Sequence, residues 1–123
     1  MERYAIVIPA DREALLLRCD EGGQMSLEEM QGIVEGPIEC APSALDTTWA
    51  REPVDRIVLV VNEEGKLLGL PVNAKATELF AWEGADVLAG NALLMAVRGE
   101  DLIGFTEPVA KSICAEWGLE GDE

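Results

Sequence analysis

A chain of 123 residues is close to the commonest domain size and supplies one hydrophobic core rather than two. Its 24 acidic against 9 basic residues leave a formal net charge of -15, a field that repels phosphate backbones and anionic bilayers and so disfavours direct nucleic-acid or membrane binding. The absence of histidine removes the usual general base, the commonest metal ligand and the activator of serine and cysteine nucleophiles.

The apolar share of 49% is gathered into runs, which argues for a folded core and against disorder. Cys19, Cys40 and Cys114 are odd in number, form no CxxC pair and read as reduced thiols. The opening MERYAIVIPADRE has too short an apolar run for a signal peptide, and no stretch approaches the ~20 apolar residues of a membrane span. The expectation is a soluble, cytoplasmic protein.

In chain order, residues 4–8 predict a strand and residues 14–18 its hairpin partner. SLEEMQGIVEG has the capping-box spacing, Ser26 with Glu29 three residues on, and predicts a helix over 27–34 that Gly36 and Pro37 stop. Residues 38–41 are a brief extended piece. PSALDTTWAREP is the longest irregular connection, with Trp49 either facing a partner or tucked under as a local plug. Residues 56–61 form a β-branched and leucine run that suits a central strand buried on both faces. Asn62-Glu63-Glu64-Gly65 then predicts a turn, with Gly65 free to take positive φ, and residues 66–70 the returning strand of a hairpin. Asn73 caps a helix whose apolar stripe is Ala76, Leu79 and Phe80, closed by Gly84. DVLAGNALLMAV, residues 86–97, reads as a strand pair or one long bent strand, with 93–97 buried. A turn over 98–101 and an extended piece over 102–105 lead to a last helix capped by Thr106, with Pro108 in its first turn and Val109, Ile113 and Trp117 facing inward. Gly118 ends it.

These elements make an α+β fold: a small mixed, mainly antiparallel sheet with about three short helices, in a single domain over residues 1–123 whose last residues, 118–123, form a frayed acidic tail.

No phosphate-binding loop and no dinucleotide fingerprint is present. The adjacent pairs Glu28-Glu29 and Glu63-Glu64 point apart and belong to a solvated surface, and Cys40 has no evident base or cation, so no catalytic residue, metal site or cofactor is expected. Binding is what remains. An anionic ligand would need local donors against the overall field, which restricts the cations to Arg51, Arg56, Lys66, Lys75 and Arg98 and the amides to Asn62, Asn73 and Asn91. Each asparagine sits at the end or break of an apolar run, where it either closes a turn or faces a shared polar cleft.

The run VNEEGKLLGLPVNAKATEL, followed by DVLAGNALLMA and LIGFTEPVAKSICAEWG, resembles a small family described only as a domain of unknown function, common in bacteriophages and mobile elements. The pattern shared with it is Gly36 to Glu39, Asn62 to Lys66, Leu70-Pro71-x-Asn73, Ala76-Thr77 and Gly90-Asn91, and it covers the latter half of the chain well and the first half loosely. The resemblance implies a setting rather than an activity, because small early phage proteins often counter host defence. The first expectation is thus a non-enzymatic phage or mobile-element accessory protein, a sponge that sequesters a small nucleotide-type immune signal as a homo-oligomer. Its ligand-binding set is Arg51, Arg56, Asn62, Asn73, Lys75, Thr77, Asn91 and Arg98. The alternative is an acidic protein-binding antagonist or DNA mimic that inhibits a host defence protein, and a carboxylate-pair enzyme is the third.

Overall fold

Arg3–Ile8, almost wholly apolar after its first residues, forms β1 in the computed structural model, which describes residues 2–20, 22–81 and 87–119. β2 (Leu15–Arg18) pairs back on it antiparallel, with Tyr4 opposite Arg18 and Val7 opposite Leu15. α1 (Leu27–Val34) starts where the capping pattern places it, and Ser26 Oγ accepts from the Glu29 N–H at 3.1 Å. Its end is closed by Glu35, at a left-handed φ of 68°, whose N–H donates to the Gln31 carbonyl. Gly36 follows because of crowding: a Cβ there would stand 2.6 Å from Asn62 Nδ2.

β3 (Ile38–Pro42) and β4 (Arg56–Asn62) are antiparallel, Ile38 facing Asn62 and Pro42 facing Val58. Their long connection contains a 3-10 turn, Thr47–Ala50, whose Trp49 is half-buried and meets Trp117 edge to face at 6.0 Å between centroids, so this aromatic plugs the core. α2 (Ala74–Glu78) is short, with the side chain of Asn73 accepting from the Ala76 N–H. β5 (Ala92–Arg98), β6 (Asp101–Ile103), β7 (Phe105–Thr106) and α3 (Glu107–Glu116) complete the chain.

The strands make one seven-stranded sheet with the order β2-β1-β5-β4-β3. β5 is its axis. One edge pairs with β4 along its length; the other pairs with β1 at residues 92–94 and with β6 at residues 96–98. β1 and β5 diverge as a fork, and β6 and β7 fill it, β7 turning back to place Phe105 opposite Tyr4. Gly104 stands at the break, where a Cβ would meet Cys19 Sγ at 2.6 Å and the Tyr4 carbonyl carbon at 2.7 Å.

Each face of the sheet carries a core. On one, Ala5, Val7, Val58, Val60, Leu93 and Met95 pack with Met30 of α1. On the other, Ile6, Ile8, Leu59, Leu94 and Ala96 pack with Leu79, which caps α2, and with Val109 and Ile113 of α3. Burying a side chain such as Phe105, 1% exposed, contributes about 1.5–3 kcal/mol.

Several expectations are corrected. Residues 66–70 do not return as a strand: 63–69 are consecutive turns, because both edges of β4 are already taken by β3 and β5. Gly65 does not take positive φ; Gly69 does, at 69°, and Gly65 is needed because a Cβ would lie 2.9 Å from the Ala89 carbonyl oxygen. Residues 87–91 form no strand beyond an isolated bridge from Ala89 to Val72. Asp86 and the expected helix end at Gly84 lie outside the described residues. Thr106 occupies the cap position of α3 without a side-chain capping bond. The chain does not fray at 118: Gly118, φ 67°, reverses it so that Leu119, 2% exposed, donates its N–H to the Cys114 carbonyl at 2.8 Å. Residues 120–123 of the expected tail lie outside the described residues.

Candidate functional site: a cleft at the edge of the sheet

Asn62, the last residue of β4, is 5% exposed. Its Nδ2 donates to the Val34 carbonyl at 3.0 Å and its Oδ1 accepts from the Glu64 N–H at 2.7 Å, which ties the exit of β4 to the end of α1. From there the chain coils: Leu68 N–H donates to Glu64 O at 2.9 Å and Leu70 N–H to Gly65 O at 3.0 Å. The coil turns its leucines outward, Leu67 87% and Leu68 57% exposed, beside Val72 at 57%. It returns through the Val72–Ala89 bridge, with the Asn73 N–H donating to Leu88 O at 2.8 Å.

Between this coil, residues 87–89 and β3 lies a cleft of about 530 Å³. Val61, Phe80 and Leu88, all buried, line its floor, and Leu67 stands on its rim. Among the described residues that line it, Glu39 and Glu63 are acidic and Lys66 is basic. Cys40 lines the cleft as well; burial pushes its thiol above the ordinary range, Arg56 pulls it down and Glu39 raises it further, which leaves it a thiol rather than a thiolate at neutral pH.

The residues expected to bind a ligand fall into two groups. Asn62, Asn73, Lys75, Thr77 and Asn91 gather at the end of the sheet where β4 finishes and β5 begins. Arg51, Arg56 and Arg98 lie at the other end. The length of β5 separates Asn91 from Arg98, roughly 23 Å at ~3.3 Å per residue, so they do not share one cleft. Asn73 Nδ2 donates to Ile8 O at 2.7 Å and Gly90 O at 2.9 Å, and Asn91 accepts from the Ala10 N–H at 3.1 Å and donates to Ile33 O at 3.0 Å. Thr77 Oγ1 donates to Asn73 O at 2.7 Å and accepts from the Leu88 N–H at 2.9 Å. Lys75 reaches Glu13 at 3.4 Å, Arg51 reaches Ser112 Oγ at 3.4 Å, and Arg56 is exposed at the start of β4. Of this set Asn62 alone lines the cleft.

Arg98 belongs to a clamp that the sequence did not signal. Arg3 holds both oxygens of Glu52, at 2.7 and 2.6 Å, and Arg98 Nη2 donates to Glu52 Oε1 at 2.6 Å. Hydrogen bonding from Arg3 is the largest influence holding the Glu52 carboxyl below the usual carboxylate range; burial opposes it, and Arg98 adds to it. The residues missed at the cleft are Glu39 and the exposed leucines. A signal for the leucines was present, because a strand as apolar as β4 belongs at the middle of a sheet, where no edge is left for a hairpin partner.

Among the described residues no group of three or more cysteine, aspartate or glutamate side chains is placed to hold a metal ion. No described helix is long and apolar enough to cross a membrane. Fold and cleft together define a small acidic α+β domain, one antiparallel sheet covered by helices on both faces with a groove at its β3 edge. The chain belongs to the DUF3846 family, a domain of unknown function, whose family model matches residues 3–118. Neither the curated proteins nor the solved structures gave a match.

Proposed function

We propose that this protein is a non-enzymatic binding protein whose acidic surface engages a basic region of a partner protein, which in the phage or mobile-element setting implied by the resemblance is an enzyme of host defence. The observation that carries this reading is the disposition of charge. The cations expected to hold an anion stand at opposite ends of the sheet, and Arg98 and Lys75 are paired with carboxylates. Exposed Glu35, Glu39, Glu63 and Glu64 meanwhile share the corner where α1 ends and β3 and β4 meet, joined there by the Glu63 N–H on Pro37 O at 2.8 Å. Such a corner attracts a basic surface and speeds its encounter.

The test is inhibition of purified bacterial defence nucleases at 50 and 300 mM NaCl. We expect at least one to be inhibited, with potency falling tenfold or more at the higher salt and in a variant with Glu35, Glu39, Glu63 and Glu64 changed to glutamine. No inhibition at low salt, or inhibition indifferent to both changes, overturns the reading.

Sequestration of a nucleotide-type signal is a second reading, supported by the cleft itself, whose size is that of a small-molecule site and which Asn62 and Lys66 line. Glu39 and Glu63 on the same walls weigh against a phosphate there. Incubation with cyclic dinucleotides, cyclic trinucleotides and NAD-derived cyclic signals, then filtration, heat denaturation and mass analysis, decides it. An intact signal released on heating would put this reading first, a cleaved one would reveal an enzyme, and an empty panel removes both.

A further inference from the structure

We propose that the cleft is a docking groove for one extended, lysine- or arginine-bearing segment of a partner protein, which adds to the open edge of β3 at Cys40 and seats an apolar side chain between Leu67 and Phe80. This deepens the protein-binding reading and rests on it.

The first support is the backbone. β3 ends the sheet. The Glu63 N–H reaches Pro37 O at 2.8 Å, so odd-numbered residues of this segment face β4. The even-numbered ones face away: Pro42 O accepts from the Ala81 N–H at 3.0 Å and the Ala44 N–H donates to Leu79 O at 2.7 Å, which covers that half of the edge. Cys40, two residues before Pro42, turns its N–H and C=O the same way, and among the described residues neither has a partner. An unpaired edge beside a groove is the arrangement by which an extended peptide joins a sheet, its main chain supplying hydrogen bonds and alternate side chains filling the groove.

The second support is what the groove offers a side chain. Its floor is apolar, Val61, Phe80 and Leu88, and its rim leaves Leu67 87% exposed without any covering contact that would justify a leucine there. An aliphatic residue entering beside Leu67 removes both from water.

The third is charge, which selects the occupant. Glu39 and Glu63 flank the groove, and a chain at -15 repels a second copy of itself, a nucleic acid strand and an anionic bilayer alike. A strand with a cation two residues to either side of its apolar residue is attracted, because side chains at that spacing share one face and recur every ~6.6 Å.

The test titrates the ¹⁵N-labelled protein at 150 mM NaCl with the heptapeptide Thr-Lys-Thr-Leu-Thr-Lys-Thr, whose two lysines share a face with its leucine, and with two equally charged forms of it, one N-methylated at the odd residues and one at the even. Expected are amide shifts confined to residues 38–41, 61–67 and 87–89. One N-methylated form should bind at least tenfold more weakly and the other nearly as well as the parent, because only alternate amides face β3. Glu39→Gln/Glu63→Gln and Leu67→Ser, all at exposed positions, should each weaken the parent peptide at least fivefold while leaving the circular dichroism unchanged. Equal affinity for all three peptides, or shifts scattered over the acidic surface, would overturn the groove while leaving the charge-driven reading standing. No binding of any peptide overturns the groove, and the reading itself falls only if the nuclease panel is also empty.

Discussion

Asn73 holds three backbone groups with one amide: its Nδ2 reaches Ile8 O and Gly90 O at 2.7 and 2.9 Å, and its Oδ1 accepts the Ala76 N–H at 3.0 Å. At 1% exposure, no water replaces it in Asn73→Ala, so we expect that variant to lose about 2–4 kcal/mol in urea denaturation. The capping half of this role was legible, since an asparagine before a helical stripe is a local pattern. The Ile8 half was not, because that carbonyl is 65 residues away. The same holds for Glu52, whose partners Arg3 and Arg98 are 49 and 46 residues distant. Its folded carboxyl titrates below its unfolded value, so its contribution is complete above the ordinary carboxylate range and is lost as pH falls through the folded value. Glu52→Gln should cost about 2 kcal/mol at pH 7, since it leaves two guanidinium groups, one largely buried, without their anion. The gap between wild type and variant should shrink as urea melts are taken from pH 5 down through pH 3.

Elements whose signals are local were read correctly. α1 is bounded by its serine cap and by the glycine and proline after it, and β4 by the composition of a buried strand. The returning strand over 66–70 was misread because a glycine-containing turn between apolar runs is a hairpin signal only when the first strand has an edge to offer. β4 has none. The coil that replaces the strand creates the cleft, so the misreading and the missed site have one cause. The break between β6 and β7 shows the opposite limit, a requirement set by packing alone. With Cys19 Sγ and Tyr4 backbone under 3.0 Å from a Cβ, Gly104→Ala must push β7 away from β1. We expect a loss of about 1–3 kcal/mol by thermal or urea melting, whereas alanine at Gly22 or Gly32, which meets nothing within 4 Å, should not act by crowding.

At the scale of the molecule, composition alone announced the acidic field, and the structure adds that the ion pairs among the described residues engage Glu2, Glu13, Glu52 and Glu107 while most other carboxylates face solvent. Self-repulsion at -15 opposes compaction, so the melting temperature should rise by several degrees as NaCl goes from about 10 mM to 0.5 M, where the screening length falls well below the size of the domain. A flat response would mean that the charges are already neutralised in place. The position of β5 at the axis also orders events during synthesis. The β1–β2 hairpin and the β3–β4 pair are both synthesised before residues 92–98, and without that strand neither can reach the other. The growing chain therefore carries two unjoined half-sheets with their apolar faces open, and joins them only once residues 92–98 have emerged.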